Sequence, residues 1–423
     1  MGLLEQAGRA DGTGCCEALK LRAITDASRF AGKRVLFRAD FNVPLNDSGE
    51  IGDDGRIRAA LPTLTKLLEA GAMVVVCSHL GRPEGKPDPR YSLAPVAARL
   101  EQLLGQPVGF AADTVGVEAN GMSRALAPGG IGLIENLRFH AEETSKVLEE
   151  RQDFAKRLAA LGEVFVNDAF GVVHRNQASV VEVADLLEGW AGDLMAKEVA
   201  VLQSLVEGAE RPYTVVLGGA KVSDKLGVLA NLLPRVDRVL IGGGMVFTVL
   251  AAKGFEIASS LFEPDAVSAV ASLFDRAREL DVKIVLPTDI LVANRFATDA
   301  EFETVDVSRL NGSRFGELAI GLDIGPATAA NFAKHIRESK TVFWNGPMGV
   351  FEFPAFSGGT RAVAEALAAV AGLSVVGGGD SASAIRALGF SDSDFDHVST
   401  GGGASLEFLE GKKLPGLEPL YAN

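Results

Sequence analysis

Cysteine is nearly absent from this 423-residue chain: Cys15, Cys16 and Cys77 are the only three, with no Cys-x-x-Cys pair. That scarcity excludes a disulfide-stapled fold and a thiolate zinc site, and it fits a reducing compartment. The five histidines (79, 140, 174, 335 and 397) include no pair at zinc-ligand spacing. No apolar run approaches the ~20 residues of a membrane span. The first twenty residues have no apolar core and carry Glu5, Asp11 and Glu17, which suits neither a secretory signal nor an acid-poor transit peptide. Residues 1–20 are read as a flexible extension, with a cytoplasmic location expected and no membrane contact. Positive charge is also short, with a net charge of −14. A nucleic-acid binder needs a basic footprint, so that class is excluded. An anionic small substrate would need a local basic pocket, because the global field repels it. Three motifs are missing as well: the Gly-x-Gly-x-x-Gly dinucleotide fingerprint, the Gly-x-x-x-x-Gly-Lys-Ser/Thr P-loop and the Gly-x-Ser-x-Gly nucleophile elbow.

Glycine is what the chain has in quantity, with 48 residues, many of them clustered after apolar runs. Such placement lets the backbone approach a ligand closely. A length of 423 exceeds one ordinary core, so two or three domains are expected. Apolar runs of strand length alternate with helical patterns such as 61–68 and 93–104, which predicts parallel α/β sheets. Ligands bind such sheets at the carboxyl ends of the strands.

In the first half those ends are rich in cations. Runs at 34–37, 73–77, 131–134 and 164–166 lead into turns bearing Arg38, Asp40 and Asn42; His79 and Arg82; Arg138; and Asn167 to Gly171, with Arg175 just beyond. Arg56 follows a loop. Any one of these alone is ordinary surface charge. Several at successive strand ends converge on one rim, and guanidinium forks suit carboxylate and phosphate. The first half therefore reads as a pocket for a small polyanion. In the second half glycine replaces arginine: Gly242-Gly243-Gly244 and Gly377-Gly378-Gly379 each follow an apolar run, and Gly401-Gly402-Gly403 follows His397-Val398-Ser399-Thr400. Such triplets before helices offer N–H groups to phosphate, and Asp380 beside one of them suits a magnesium ion carried on the phosphates. The run 213–217 ends at Gly218-Gly219-Ala220-Lys221, with Lys225 four residues on; if both lysines are helical they share a face. Between the halves, Met195, Val199, Leu202 and Val206 mark an amphipathic helix suited to joining two domains.

Together these motifs resemble the phosphoglycerate kinases, from about residue 24 to the C-terminus. The carriers are 38–44, 78–83, 137–139, 167–171 with His174-Arg175, 218–225, 344–352 and 377–381. The resemblance implies two doubly wound, Rossmann-like parallel-sheet α/β domains joined by a connecting helix and hinge. It implies a 3-phosphoglycerate domain over 21–191, a connector over 192–208, a nucleotide domain over 209–408, and a tail, 409–423, returning to the first domain. It carries Asp40, Asn42, Arg56, His79, Arg82, Arg138 and Arg175 onto the substrate site. Gly219, Ala220, Lys221, Lys225, Gly243, Gly321, Asn345, Pro347, Glu352, Gly377, Gly378, Gly379, Asp380 and Ser381 fall to the nucleotide side. Catalysis is implied for Arg56, Lys221, Lys225, Gly378 and Gly379, and the metal for Asp380. Ser381 stands where many members have threonine, and Val172-Val173 where Thr-Ala is usual.

The reaction implied is reversible phosphoryl transfer from 1,3-bisphosphoglycerate to Mg·ADP, giving 3-phosphoglycerate and Mg·ATP, in a monomer that closes on its substrates. The attacking carboxylate, with a pKa near ~4, is already ionised, so no general base is needed. This agrees with a site of cations and glycines that lacks a nucleophile–base pair. A non-catalytic regulatory homologue and a nicotinamide-dependent oxidoreductase are the alternatives. The intact cations speak against the first, and the missing fingerprint against the second.

Overall fold

The computed structural model describes residues 20–46 and 48–422, so the expectation of a flexible extension over 1–20 lies, residue 20 aside, outside the described residues. Six strands form the first sheet: β1 (Arg34–Arg38), β2 (Met73–Cys77), β3 (Val108–Ala111), β4 (Ile131–Ile134), β5 (Val164–Asn167) and β6 (Gly189–Ala191). Their order is β3-β4-β2-β1-β5-β6, and every pairing is parallel. The apolar runs are buried on both faces because side chains alternate along a strand. Val35, Phe37, Val74 and Val76 meet Ile57, Leu64 and Leu67 of the helix Gly55–Glu69 on one face. Leu36, Val75 and Phe165 meet Phe154 and Leu158 of the helix Leu148–Ala159 on the other.

The second half adds β7 (Tyr213–Leu217), β8 (Arg238–Ile241), β9 (Lys283–Val285), β10 (Asp289–Ala293), β11 (Phe302–Asp306), β12 (Ile320–Ile324), β13 (Thr341–Asn345), β14 (Leu373–Gly377) and β15 (His397–Val398). Six of them make a parallel sheet, β15-β14-β13-β7-β8-β9, and its faces divide in the same way. Val215, Leu217, Val239 and Phe343 pack to one side, and Val216, Leu240, Val342 and Trp344 to the other. The other three form an antiparallel sheet, β11-β10-β12, which the sequence pattern did not announce. Gly321, carried onto the nucleotide side by the resemblance, lies inside β12. A Cβ there would sit 1.9 Å from the Phe247 ring, so glycine makes room for that ring.

The helix Asp193–Glu207 runs between the two parallel sheets along the chain. It buries Met195, Val199, Leu202 and Leu205, with Leu205 taking the place expected for Val206. The chain end returns to the first sheet's edge: Arg22 N–H donates to Leu420 O at 2.7 Å, and Ala422 N–H to Lys20 O at 2.8 Å. Ala23 in turn bridges to Ala191 on β6.

Candidate functional site

The strand ends of the first sheet enclose a pocket of about 280 Å3. All seven substrate-side residues line it: Asp40, Asn42, Arg56, His79, Arg82, Arg138 and Arg175. Local chemistry holds each turn. Asn42 Oδ1 accepts Gly81 N–H at 2.9 Å, which ties the turn after β1 to the turn after β2. Asn136 Oδ1 accepts Arg138 N–H at 3.0 Å, and Arg138 donates to Gly81 O at 2.6 Å. Arg56 is ion-paired to Asp40. Burial pushes the Asp40 carboxyl up, but His79 when charged, Arg56, Arg38 and the Asn42 N–H together hold it below the usual aspartate range.

Arg38 sits deeper than expected. The sequence reading put it on the rim; the structure buries it completely beneath the pocket. Its Nε donates to Ser179 Oγ at 2.9 Å, and its other nitrogens reach Ala39 O and, at 3.3 Å, His79 Nδ1. Guanidinium only donates, so His79 Nδ1 must accept and the ring carries its proton on Nε2. Burial, reinforced by Arg38, Arg138 and Arg56, drives the His79 pKa well below its ordinary value despite Asp40. His79 is thus a neutral N–H donor at neutral pH. Arg138 is lowered to about 10, by burial first and then by Arg38 and Arg175, and stays charged.

The second sheet's strand ends frame a cleft of about 550 Å3. Gly219, Ala220, Gly243, Gly321, Pro347, Glu352 and Asp380 line it, beside the apolar Leu261, Phe296, Leu322 and Val350. Lys221 and Lys225 do not share a helical face, because both precede the helix Leu226–Leu232. Lys221 is exposed in a turn that Glu263 ties down by accepting Val222 N–H at 2.6 Å and Ser223 Oγ–H at 2.6 Å. Lys225 Nζ bonds to Asn345 Oδ1, and Asn345 Nδ2 donates to Gly377 O at 2.6 Å. Lys225 is therefore coupled to the glycine triplet through one amide. Burial lowers its pKa against Asp224, Asp380 and Glu410. Gly378 has φ +89°, and a Cβ there would meet Asn345 Nδ2 at 2.4 Å, so only glycine fits. The helix Gly379–Ala387 begins at once, with Asp380 exposed in its first turn. The Ser381 hydroxyl is fully buried and accepts Gly346 N–H at 2.7 Å; its contact in the structure is to the loop after β13.

A third cavity of about 900 Å3 lies between the halves, with Asn42 and Arg56 on one wall and Gly379 and Arg386 on the other. Thr400 and Gly402 line it too, and the Gly401 to Gly403 triplet lines the basic pocket. The sequence reading left that triplet with the nucleotide side. Glu198, from the inter-sheet helix, explains its position. The carboxylate accepts Thr400 N–H at 2.7 Å, the Thr400 and Ser399 hydroxyls at 2.8 Å, and faces His397 Nε2 at 2.9 Å. Gly171, Val172 and His174 also line the basic pocket without having been singled out as ligands; only their adjacency to Arg175 hinted at it. For magnesium, Asp380 offers one exposed carboxylate beside the Gly377 to Gly379 triplet. One carboxylate suits Mg2+, which keeps several waters and binds through substrate phosphates.

A basic pocket at the strand ends of one parallel-sheet α/β domain and a glycine-lined cleft at those of another have the layout of a phosphotransferase. The family model described as phosphoglycerate kinase matches residues 24–412. A phosphoglycerate kinase from Clavibacter michiganensis subsp. michiganensis is 61% identical over 402 residues, covering 95% of this chain and 99% of its own. One from Leifsonia xyli subsp. xyli is 58% identical, covering 95% and 100%. Among solved structures, the Coxiella burnetii phosphoglycerate kinase matches with a TM-score of 0.82 at 41% identity, over 92% of this chain and 96% of that one. The Pyrococcus horikoshii enzyme matches with a TM-score of 0.79 at 35% identity, over the same shares. The chain belongs to the phosphoglycerate kinase family, whose activity is phosphoryl transfer with a carboxyl group as acceptor.

Proposed function

We propose that the 280 Å3 pocket takes 3-phosphoglycerate or 1,3-bisphosphoglycerate and that the 550 Å3 cleft takes ADP or ATP. The observation that carries this is the position of Arg56, which lines both the basic pocket and the cavity whose opposite wall is Gly379. In this reading residues 21–191 with the tail 409–423 bind the acid, 209–408 bind the nucleotide, and 192–208 connect them. Arg82, Arg138, Arg175 and the neutral His79 N–H hold the distal phosphate and carboxylate, while Asp40 and Asn42 meet the hydroxyl. Arg56, Lys221 and Lys225 face the group in transit, and the Gly378 and Gly379 backbone supports it. Asp380 would hold the magnesium that accompanies the nucleotide, which supplies charge neutralisation on the phosphates. The carboxylate attacks without a general base, so catalysis is alignment plus charge stabilisation. Closure of the halves brings acceptor to donor and excludes water from the acyl phosphate. The cysteine-poor chain fits a reducing, cytoplasmic compartment, and a monomer is the expectation that goes with the family resemblance.

Titration calorimetry tests the two pockets. Arg138→Ala is expected to weaken 3-phosphoglycerate binding roughly tenfold or more while leaving Mg·ADP affinity unchanged. Weakened nucleotide binding with intact acid binding would reverse the assignment.

A further inference from the structure

The inter-sheet helix Asp193–Glu207 starts on Gly192, which has no side chain with which to cap it. Its first-turn N–H groups are bonded all the same, by side chains from elsewhere. Asp193 N–H donates to Thr63 Oγ1 at 2.9 Å, and Met195 N–H to Asp168 Oδ1 at 3.0 Å. Thr63 in turn donates its hydroxyl proton to Asp168 Oδ2 at 2.6 Å. Lys66 Nζ, 2.6 Å from the Asp193 carboxylate, adds a partly exposed ion pair at the same place. Thr63 is fully buried, and Asp168 is 1% exposed. Gly192 leaves no slack, because a Cβ there would stand 2.2 Å from Asp168 Oδ1.

Thr63 belongs to the helix Gly55–Glu69, the helix that presents Arg56 to both cavities. The two residues are seven apart, two turns on one face. Asp168 immediately follows β5 and opens the loop that carries Gly171 and Arg175 into the basic pocket. A single three-way junction thus joins the Arg56 helix, the substrate loop and the base of the connecting helix.

We propose that Thr63 and Asp168 are positioning residues for closure: they cap the connecting helix from outside and make its swing set where Arg56 stands. This rests on the assignment of Arg56 to the group in transit. A rotation of the connecting helix pulls on Asp193 and Met195 N–H, and through Thr63 on the Arg56 helix.

Thr63→Val keeps shape and removes the hydroxyl. The expected result is a fall in kcat of roughly tenfold, with the separate dissociation constants of 3-phosphoglycerate and Mg·ADP changed by less than about twofold. The contraction seen by small-angle X-ray scattering when both ligands are added should shrink. Thr63→Ser, which restores the hydroxyl, should recover kcat and contraction. Should Thr63→Val fail to fold, Thr63→Ala carries the same expectation. Unchanged kcat, a loss of kcat matched by a loss of 3-phosphoglycerate affinity, or failure of Thr63→Ser to rescue would each overturn the proposal. If Arg56→Ala leaves kcat intact while Thr63→Val lowers it, the Arg56 assignment has failed and the junction has not.

Discussion

At the scale of single residues, charge and burial assign different work to groups that look alike in sequence. Arg38 and Arg56 are both cations near the end of β1. The first is sealed under the pocket and orients His79; the second faces two cavities. Arg56→Ala is expected to cost roughly 10²-fold or more in kcat with little loss of folding stability, since its side chain is 39% exposed. Steady-state kinetics and a thermal melt check both halves of that statement. His79 is neutral because burial and three arginines push its pKa well down. Substrate affinity should therefore show no histidine titration between about pH 6 and 8, as calorimetry across that range would reveal. Asp323 behaves the opposite way. Burial raises it to about 7 against the N–H groups of Gly359 and Ile324 that it accepts. An unfolded aspartate ionises near ~4, so the folded chain holds the extra proton between those values. Its contribution to stability is present at low pH and is lost as pH rises toward 7. Asp323→Asn should flatten the change in urea midpoint between about pH 4 and 7.

At the scale of elements, what was legible in the sequence lay along the chain, and what was not lay across it. Most of the parallel strands are buried on both faces and read as apolar runs ending in polar turns, whereas the edge strand β3, with Gly109 exposed, and the three-residue β6 carry no such signal. The turns 38–44, 78–83 and 377–381 were visible for that reason. The antiparallel sheet was not: β11 alternates exposed and half-buried positions as Phe-Glu-Thr-Val-Asp and looks like surface. The depth of Arg38 and the crossing of the Gly401 to Gly403 triplet to the basic pocket depend on which distant groups arrive, Ser179 and Glu198 among them. Leu261 and Phe296 line the 550 Å3 cleft with no chemical signature to mark them. The triplet after β14 offers an element-scale prediction. Gly378→Ala forces an L-residue to φ +89° and drives a methyl into Asn345 Nδ2. It should lower stability by about 1–2 kcal/mol and weaken Mg·ADP binding by displacing the Asn345–Lys225 bond. A denaturant melt and a nucleotide titration measure the two effects.

At the scale of the molecule, the basic pocket and the glycine-lined cleft stand at the ends of different sheets, and a cavity of about 900 Å3 lies between the halves. Phosphoryl transfer across that gap requires the halves to approach. The lining argues for positioning and electrostatics: Arg56 on one wall, Gly379 and Arg386 on the other, and no nucleophile–base pair among the described lining residues. The most direct test is the rate at which the purified protein forms ADP from Mg·ATP, measured with and without 3-phosphoglycerate. ADP is expected only when the acid is present, at a rate that Arg56→Ala lowers roughly 10²-fold or more. ADP formation that ignores the acid, or none at all while both ligands bind, would contradict it.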